Sequence, residues 1–123
     1  MISHIDHIVL TVQNIDRSIH FYQKLGMTVQ TFAHGRKSLH FGNQKINLQE
    51  LGQETRNNAQ IGSGDLCLIS DWSLDAIINH LANHQIPIIE GPVKKTGAQG
   101  KIDSIYISDP DKNLVEISVY TKV

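Results

Sequence analysis

A single cysteine, Cys67, stands in the whole chain, so no internal disulfide framework can hold it together, and a cytoplasmic setting is the expectation. No sign of charge dominates. The 11 Lys and Arg residues face 12 Asp and Glu, for a formal net charge of -1, and this balance supplies no electrostatic footprint for nucleic acid or an anionic membrane surface. No apolar run approaches the roughly 20 residues that a membrane-crossing helix needs. The opening Met1-Ile-Ser-His-Ile-Asp6 alternates as a strand does, unlike a signal peptide. Aromatic residues make up only 6%, which disfavours a site built mainly on aromatic lining. What remains is 40% hydrophobic and 19% charged composition over 123 residues, enough for one domain with a core and cramped for two independent ones.

The most informative stretch is Ser104-Ile-Tyr-Ile-Ser-Asp-Pro-Asp-Lys-Asn-Leu-Val-Glu-Ile-Ser-Val-Tyr120, which reads as two strands joined by a turn at Asp109-Pro-Asp-Lys-Asn113. In the second strand Val115, Ile117 and Val119 share one apolar face, while Leu114, Glu116, Ser118 and Tyr120 share a mixed one. Upstream, Ile105 and Ile107 oppose Ser104, Tyr106 and Ser108 in the same way.

Earlier segments repeat the pattern. Residues 4–12 alternate as a first strand, with Ile8, Leu10 and Val12 opposite His7, Val9 and Thr11. Asn14 is placed to cap an amphipathic helix that carries Ile15, Ile19, Tyr22 and Leu25 and closes at Gly26. Strands are expected over Met27–Phe32, Lys37–Phe41 and Lys45–Glu50. Residues 51–64 are polar and aperiodic, a linker. Asp65–Ser70 is again a strand, Ser73 caps a helix with Leu74, Ile77, Ile78 and Leu81, and Ile86–Ile89 resumes extended structure. Gly91–Gly100 reads as a long loop carrying Lys94 and Lys95.

Superposing His7 on Asp65 aligns Ile8-Val-Leu10 with Leu66-Cys-Leu68, and Ile46-Asn-Leu48 falls on Val115-Glu-Ile117. The chain is therefore read as two β-α-β-β-β units within one domain, about 4–50 and 65–120, in the α+β class. His7, Asn47, Asp65 and Glu116 share the face that the helices do not cover, and they converge if the two sheets curl around a common concavity.

Asp6-His-Ile-Val-Leu-Thr-Val12, the helix from Asn14 to Gly26, and Ser108-Asp-Pro-Asp-Lys-Asn-Leu-Val-Glu-Ile117 together resemble the vicinal oxygen chelate superfamily of glyoxalases, bleomycin-resistance proteins and extradiol dioxygenases. Gly91-Pro-Val-Lys-Lys-Thr-Gly-Ala98 followed by Ser104-Ile-Tyr106 is most similar to the glyoxalase domain-containing protein 5 subfamily. The resemblance implies an incomplete barrel with both helices outside, a homodimer, and a divalent metal held by His7, Asp65 and Glu116. Superfamily members usually have histidine where this chain has Asp65, and glyoxalase I has a carboxylate ligand where this chain has Asn47.

One imidazole and two carboxylates form a hard donor set suited to Mn, Fe, Ni, Co or Mg more than to a closed Zn site. The implied function is that of a metal-dependent lyase or transferase acting on a small oxygen-chelating substrate, with Glu116 and Tyr106 as catalytic groups. Asn47, Gln49, Lys94, Lys95 and Ser104 are the expected substrate contacts. The alternatives are a bleomycin-resistance-type sequestering protein and, less well matched to Asp65, an extradiol dioxygenase. His80 and His84 have i, i+4 spacing without a His-Glu-x-x-His pattern and are expected on a solvated helix face.

Overall fold

The computed structural model describes residues 1–121. Its elements run β1 (His7–Val12), α1 (Ile15–Gln23), β2 (Thr28–Phe32), a 3-10 turn at Ala33–Gly35, β3 (Arg36–Phe41), β4 (Gln44–Glu50), β5 (Asp65–Ile69), α2 (Leu74–Asn83), β6 (Glu90–Gly97), β7 (Gly100–Ser108) and β8 (Leu114–Tyr120). Two four-stranded mixed sheets result, in the orders β1-β4-β3-β2 and β5-β8-β7-β6. In each, the strand before the helix pairs in parallel with the last strand of its unit and the remaining pairs are antiparallel. The α+β fold of repeated β-α-β-β-β order is thus as expected.

The chain forms two compact units. Met1–Ser63 with Asp109–Lys112 make the first, and Gly64–Ser108 with the chain from Asn113 onward make the second. In the first unit α1 begins where the Asn14 side chain accepts a hydrogen bond from the Arg17 amide, which satisfies one of the helix's free N-terminal donors. It stops before Gly26, whose φ of 92° costs glycine little. The helix packs on β2, β3 and β4. Leu10, Val12, Leu39, Ile46 and Leu48 are buried in this unit, and all five lie on the same face of the sheet by register.

Tyr22 anchors this core. Its side chain is fully buried, and its hydroxyl donates to Asp109 Oδ2 at 2.7 Å. Burial, the Asp109 charge and that hydrogen bond all push the phenol's pKa up, so it stays a donor. Asp109 also accepts from the Asp111 amide at 2.9 Å, and Asp111 accepts from Arg17 at 3.1 Å. The Asp-Pro-Asp carboxylates of the turn motif are therefore structural partners of α1.

In the second unit Ile105, Ile107, Val115 and Ile117 are buried on one sheet face, and Ile77 and Leu81 are the buried residues of α2. The Ser73 hydroxyl caps α2 by accepting from the Ala76 amide. Asn113 Oδ1 accepts from the Gly64 amide at 2.6 Å at the start of β5.

The expected loop at Gly91–Gly100 requires correction. This segment belongs to β6, paired with β7 from Glu90↔Tyr106 to Gly97↔Gly100 and interrupted by a register shift between Glu90 and Val93. The extended segment expected at Ile86–Ile89 contains no strand residue. Glycine and proline in the sequence suggested a loop; here they mark a strand bulge and a hairpin end. Gly91 has φ 109°, and a Cβ there would lie 2.6 Å from the Ser104 carbonyl oxygen.

Two outcomes follow for stability. Tyr22→Phe should lower unfolding free energy by about 1–3 kcal/mol, because it removes a buried hydrogen bond to a carboxylate. Gly91→Ala should cost about 1–3 kcal/mol or more, since both the backbone conformation and the neighbouring strand oppose a side chain. Urea denaturation midpoints compared with the wild type check both.

Candidate functional site

Each sheet turns its mixed face away from the apolar one, and the expected site residues other than Lys94 lie on these mixed faces. In the first unit His7 pairs with Lys45 and Val9 with Asn47, so His7 and Asn47 are diagonal neighbours on adjacent strands. In the second, Asp65 pairs with Leu114 and Cys67 with Glu116, which makes Asp65 and Glu116 the equivalent diagonal pair. Among the described residues no three His, Cys, Asp or Glu side chains gather into one group able to hold a metal ion. The structure thus offers two donor pairs, one in each unit.

His7 is oriented by its neighbour. Its Nδ1 lies 2.7 Å from Asp6 Oδ1, an arrangement that leaves Nε2 as the nitrogen available to a ligand and resembles the carboxylate partner a metal-bound imidazole commonly has. The His7 hydrogen bond is the main influence that lowers the Asp6 pKa. Asn47 supplies the second feature: its Oδ1 is buried without a hydrogen-bond partner, a state that costs about 1–3 kcal/mol unless a donor or a cation fills it.

Both residues line a cavity of about 650 Å³, within the roughly 300–1,000 Å³ typical of small-molecule sites. The cavity lies wholly in the first unit. Gln49 also borders it and donates from Nε2 to Thr11 Oγ1 at 3.1 Å. Gln53, Glu54 and Arg56, from the segment expected to be only a linker, form part of its wall. Sequence reasoning missed these three, and also Phe32, Arg36 and Lys45. The last two carried a signal, because they continue the alternation of Ser38 and His40 on β3 and of Asn47 and Gln49 on β4.

Glu116 sits in a hydroxyl network. Ser104 Oγ donates to Glu116 Oε2 at 2.6 Å, and the Ser104 and Ser118 oxygens are 2.6 Å apart. Cys67 Sγ lies 3.3 Å from Ser118 Oγ. Since each hydroxyl has one proton and Ser104 spends its own on Glu116, the shorter contact directs the Ser118 proton to Ser104. Ser104 is fully buried, and its hydroxyl holds the Glu116 carboxylate. Tyr106 pairs with Glu116 across β7 and β8. Desolvation first, then the Glu116 charge and a hydrogen bond to that carboxylate, raise the Tyr106 pKa, and the phenol remains protonated at neutral pH. Desolvation likewise raises the Cys67 thiol, which argues against a nucleophile.

Lys94 and Lys95 separate. Lys94 pairs with Asp103 in register and in charge, Nζ to Oδ1 3.0 Å, on the face opposite Glu116. Lys95 pairs with Ile102, on the Glu116 face, and its Nζ lies 5.9 Å from the Tyr106 ring centroid. Adjacent positions of one strand thus start the two lysines from opposite faces of the sheet. His80 stacks edge-on against Trp72 and lies 4.3 Å from the His84 ring.

Residues 4–117 match the Glyoxalase/Bleomycin resistance protein/Dioxygenase superfamily. The chain belongs to this superfamily. It is 50% identical over 119 residues to glyoxalase domain-containing protein RDO1 of Mycosarcoma maydis, covering 94% of this chain and 68% of that protein. It is 47% identical over 124 residues to virulence protein STM3117 of Salmonella typhimurium, covering 98% and 86%. Among solved structures, an integron cassette protein from V. cholerae superposes with a TM-score of 0.94 at 50% identity, covering 98% of both chains. At lower identity, which carries the fold alone, the structural neighbours include a lactoylglutathione lyase from Agrobacterium tumefaciens (22%, TM-score 0.77, covering 97% of this chain and 95% of that one). They also include the antibiotic binding protein TnmS3 from Streptomyces (20%, TM-score 0.75, covering 98% of both). Enzymes and binders thus share this architecture. Among the described residues no helix is long and apolar enough to cross a membrane.

Ser104→Ala should lower stability by about 1–2 kcal/mol, less than the loss of a fully buried charge-assisted bond because Glu116 is partly solvated. Urea unfolding measures it; an unchanged midpoint would show that Glu116 does not depend on this donor.

Proposed function

We propose that this superfamily member is a metal-dependent lyase or transferase acting on a small oxygen-chelating substrate, with His7, Asp65 and Glu116 as ligands to a divalent ion. One observation carries the reading: each unit presents an equivalent diagonal pair of donors, and in the first pair the imidazole is oriented by a carboxylate while Asn47 Oδ1 is buried and unsatisfied. The donor chemistry fits an oxygen-preferring ion such as Mn, Fe, Ni, Co or Mg. When bound, the ion supplies Lewis-acid polarisation of a substrate oxygen.

The chain's own groups take the remaining roles. Glu116 is the proton acceptor, held in position by Ser104; Tyr106 is the neutral phenol that donates a hydrogen bond; Asn47 and Gln49 orient the substrate. Lys95 is the one lysine of its pair on the Glu116 face and belongs to this reading, whereas Lys94 is engaged with Asp103. The proposal also includes one domain of two modules, about 4–50 and 65–120, a cytoplasmic homodimer, and the glyoxalase domain-containing protein 5 type suggested by Gly91–Ala98 and Ser104–Tyr106. A sequestering role is the second reading, favoured by the cavity next to His7.

Calorimetric titration of chelator-stripped protein with Mn²⁺, Ni²⁺ and Zn²⁺ distinguishes these readings. The expected result is one ion per chain, with binding weakened in His7→Ala, Asp65→Asn and Glu116→Gln. At a hundredfold excess over Kd, the ion should stabilise the wild type by roughly 2.7 kcal/mol. Failure of the wild type to bind any of these ions, or undiminished binding by Glu116→Gln, would leave the sequestering role as the better account.

A further inference from the structure

The wall of the first-unit cavity carries more positive charge than its own carboxylates neutralise. Glu54 is fully engaged by Arg56, whose Nε and Nη2 donate at 2.8 and 2.6 Å. Arg36 and Lys45 have no carboxylate within ion-pair distance among the described residues. Lys45 exerts only a minor Coulombic pull on Asp6, and Arg36 reaches the Ala33 carbonyl at a long 3.4 Å.

Both cations are held against one ring. The Arg36 guanidinium carbon lies 4.5 Å and Lys45 Nζ 4.4 Å from the Phe32 centroid. Register explains how they get there. Phe32 pairs with Arg36, whereas Lys45 sits at the row of His40, so its long side chain runs along the sheet toward Phe32, past the row of Ser38 and Asn47. Two like charges held against one ring repel each other, and the ring's quadrupole offsets only part of that repulsion. An anion placed beside them would relieve it and would accept charge-assisted hydrogen bonds.

We infer that Phe32, Arg36 and Lys45 form an anion subsite, and that the ligand of this cavity is a small organic acid carrying a hydrogen-bond donor beside its charged group. The donor requirement comes from Asn47, which lines the same cavity and whose Oδ1 is buried without a partner. Val9 and the Phe32 ring supply the apolar contact for the rest of the molecule. This inference deepens the enzyme reading and rests on it only for the ligand's role as substrate; the binding itself needs no metal.

The test is therefore run on metal-free protein, by amide chemical-shift titration at low ionic strength with glycolate, acetate and the neutral ester methyl glycolate. Glycolate should shift the amides of Phe32, Arg36, Lys45 and Asn47, bind more tightly than acetate, and weaken as salt is added. The ester should not bind. Arg36→Gln and Lys45→Gln should each weaken glycolate by roughly tenfold, the scale of one charge-assisted contact; Arg36→Lys should recover part of the loss, and the charge-matched control Lys101→Gln should bind as wild type. Asn47→Ala should erase the preference for glycolate over acetate. Thermal unfolding verifies that each variant is folded. Equal binding of the ester, shifts confined to other residues, or wild-type affinity in both Arg36→Gln and Lys45→Gln would overturn the inference. Metal titration of the wild type separates the two proposals, because glycolate should bind the metal-free protein whether or not an ion binds at His7, Asp65 and Glu116.

Discussion

A β-strand turns consecutive side chains to opposite faces, and in both sheets this constraint separates the groups that build a core from those that can do chemistry. Leu10, Val12, Ile46 and Leu48 stand on one face of the first sheet, with Val9, Asn47 and Gln49 on the other. Val115 and Ile117 oppose Glu116 and Ser118 in the second. A slip of one residue in either register would bury His7 or Glu116 against apolar partners and expose the core, so the placement of the donors and the stability of the sheet are one requirement. The same constraint divides Lys94 from Lys95.

Polar groups inside the structure are held by named partners. Tyr22 gives its proton to Asp109, Arg17 reaches Asp111, and Ser104 spends its hydroxyl on Glu116. The exceptions among the described residues are Ser18 Oγ, on α1, and Asn47 Oδ1. Of these, Asn47 lines the cavity. Where most buried polar atoms are satisfied, Asn47 combines a buried, unsatisfied acceptor with a place in the wall of a cavity that also holds the oriented His7 imidazole and, among the described residues, two cations without a carboxylate partner. Superfamily membership is compatible with several uses of such a place, since lyases and antibiotic-binding proteins share the architecture.

Local pattern made much of the fold legible. Alternation located seven of the strands, Asn14 and Ser73 marked the helix starts, and Gly26 marked an end, because each signal depends on near neighbours in the chain. The failure at Gly91–Gly100 has an equally local origin. Glycine, proline and lysine resemble a loop until the partner strand supplies its hydrogen bonds, and only the pairing with Gly100–Ser108 makes the segment a strand.

The amino-acid sequence by itself determined which side chains share a face, that the two halves repeat one order of elements, and that His7, Asn47, Asp65 and Glu116 occupy equivalent positions, all consequences of a two-residue period that needs no tertiary information. Tertiary structure decided what each of those groups touches. It turned the Asp-Pro-Asp motif into an anchor for α1, buried Ser104 beneath Glu116, paired Lys94 with Asp103 and brought Arg36 and Lys45 onto Phe32. Those outcomes depend on strand register and on the reach of long side chains across rows of the sheet, distances that spacing along the chain does not encode.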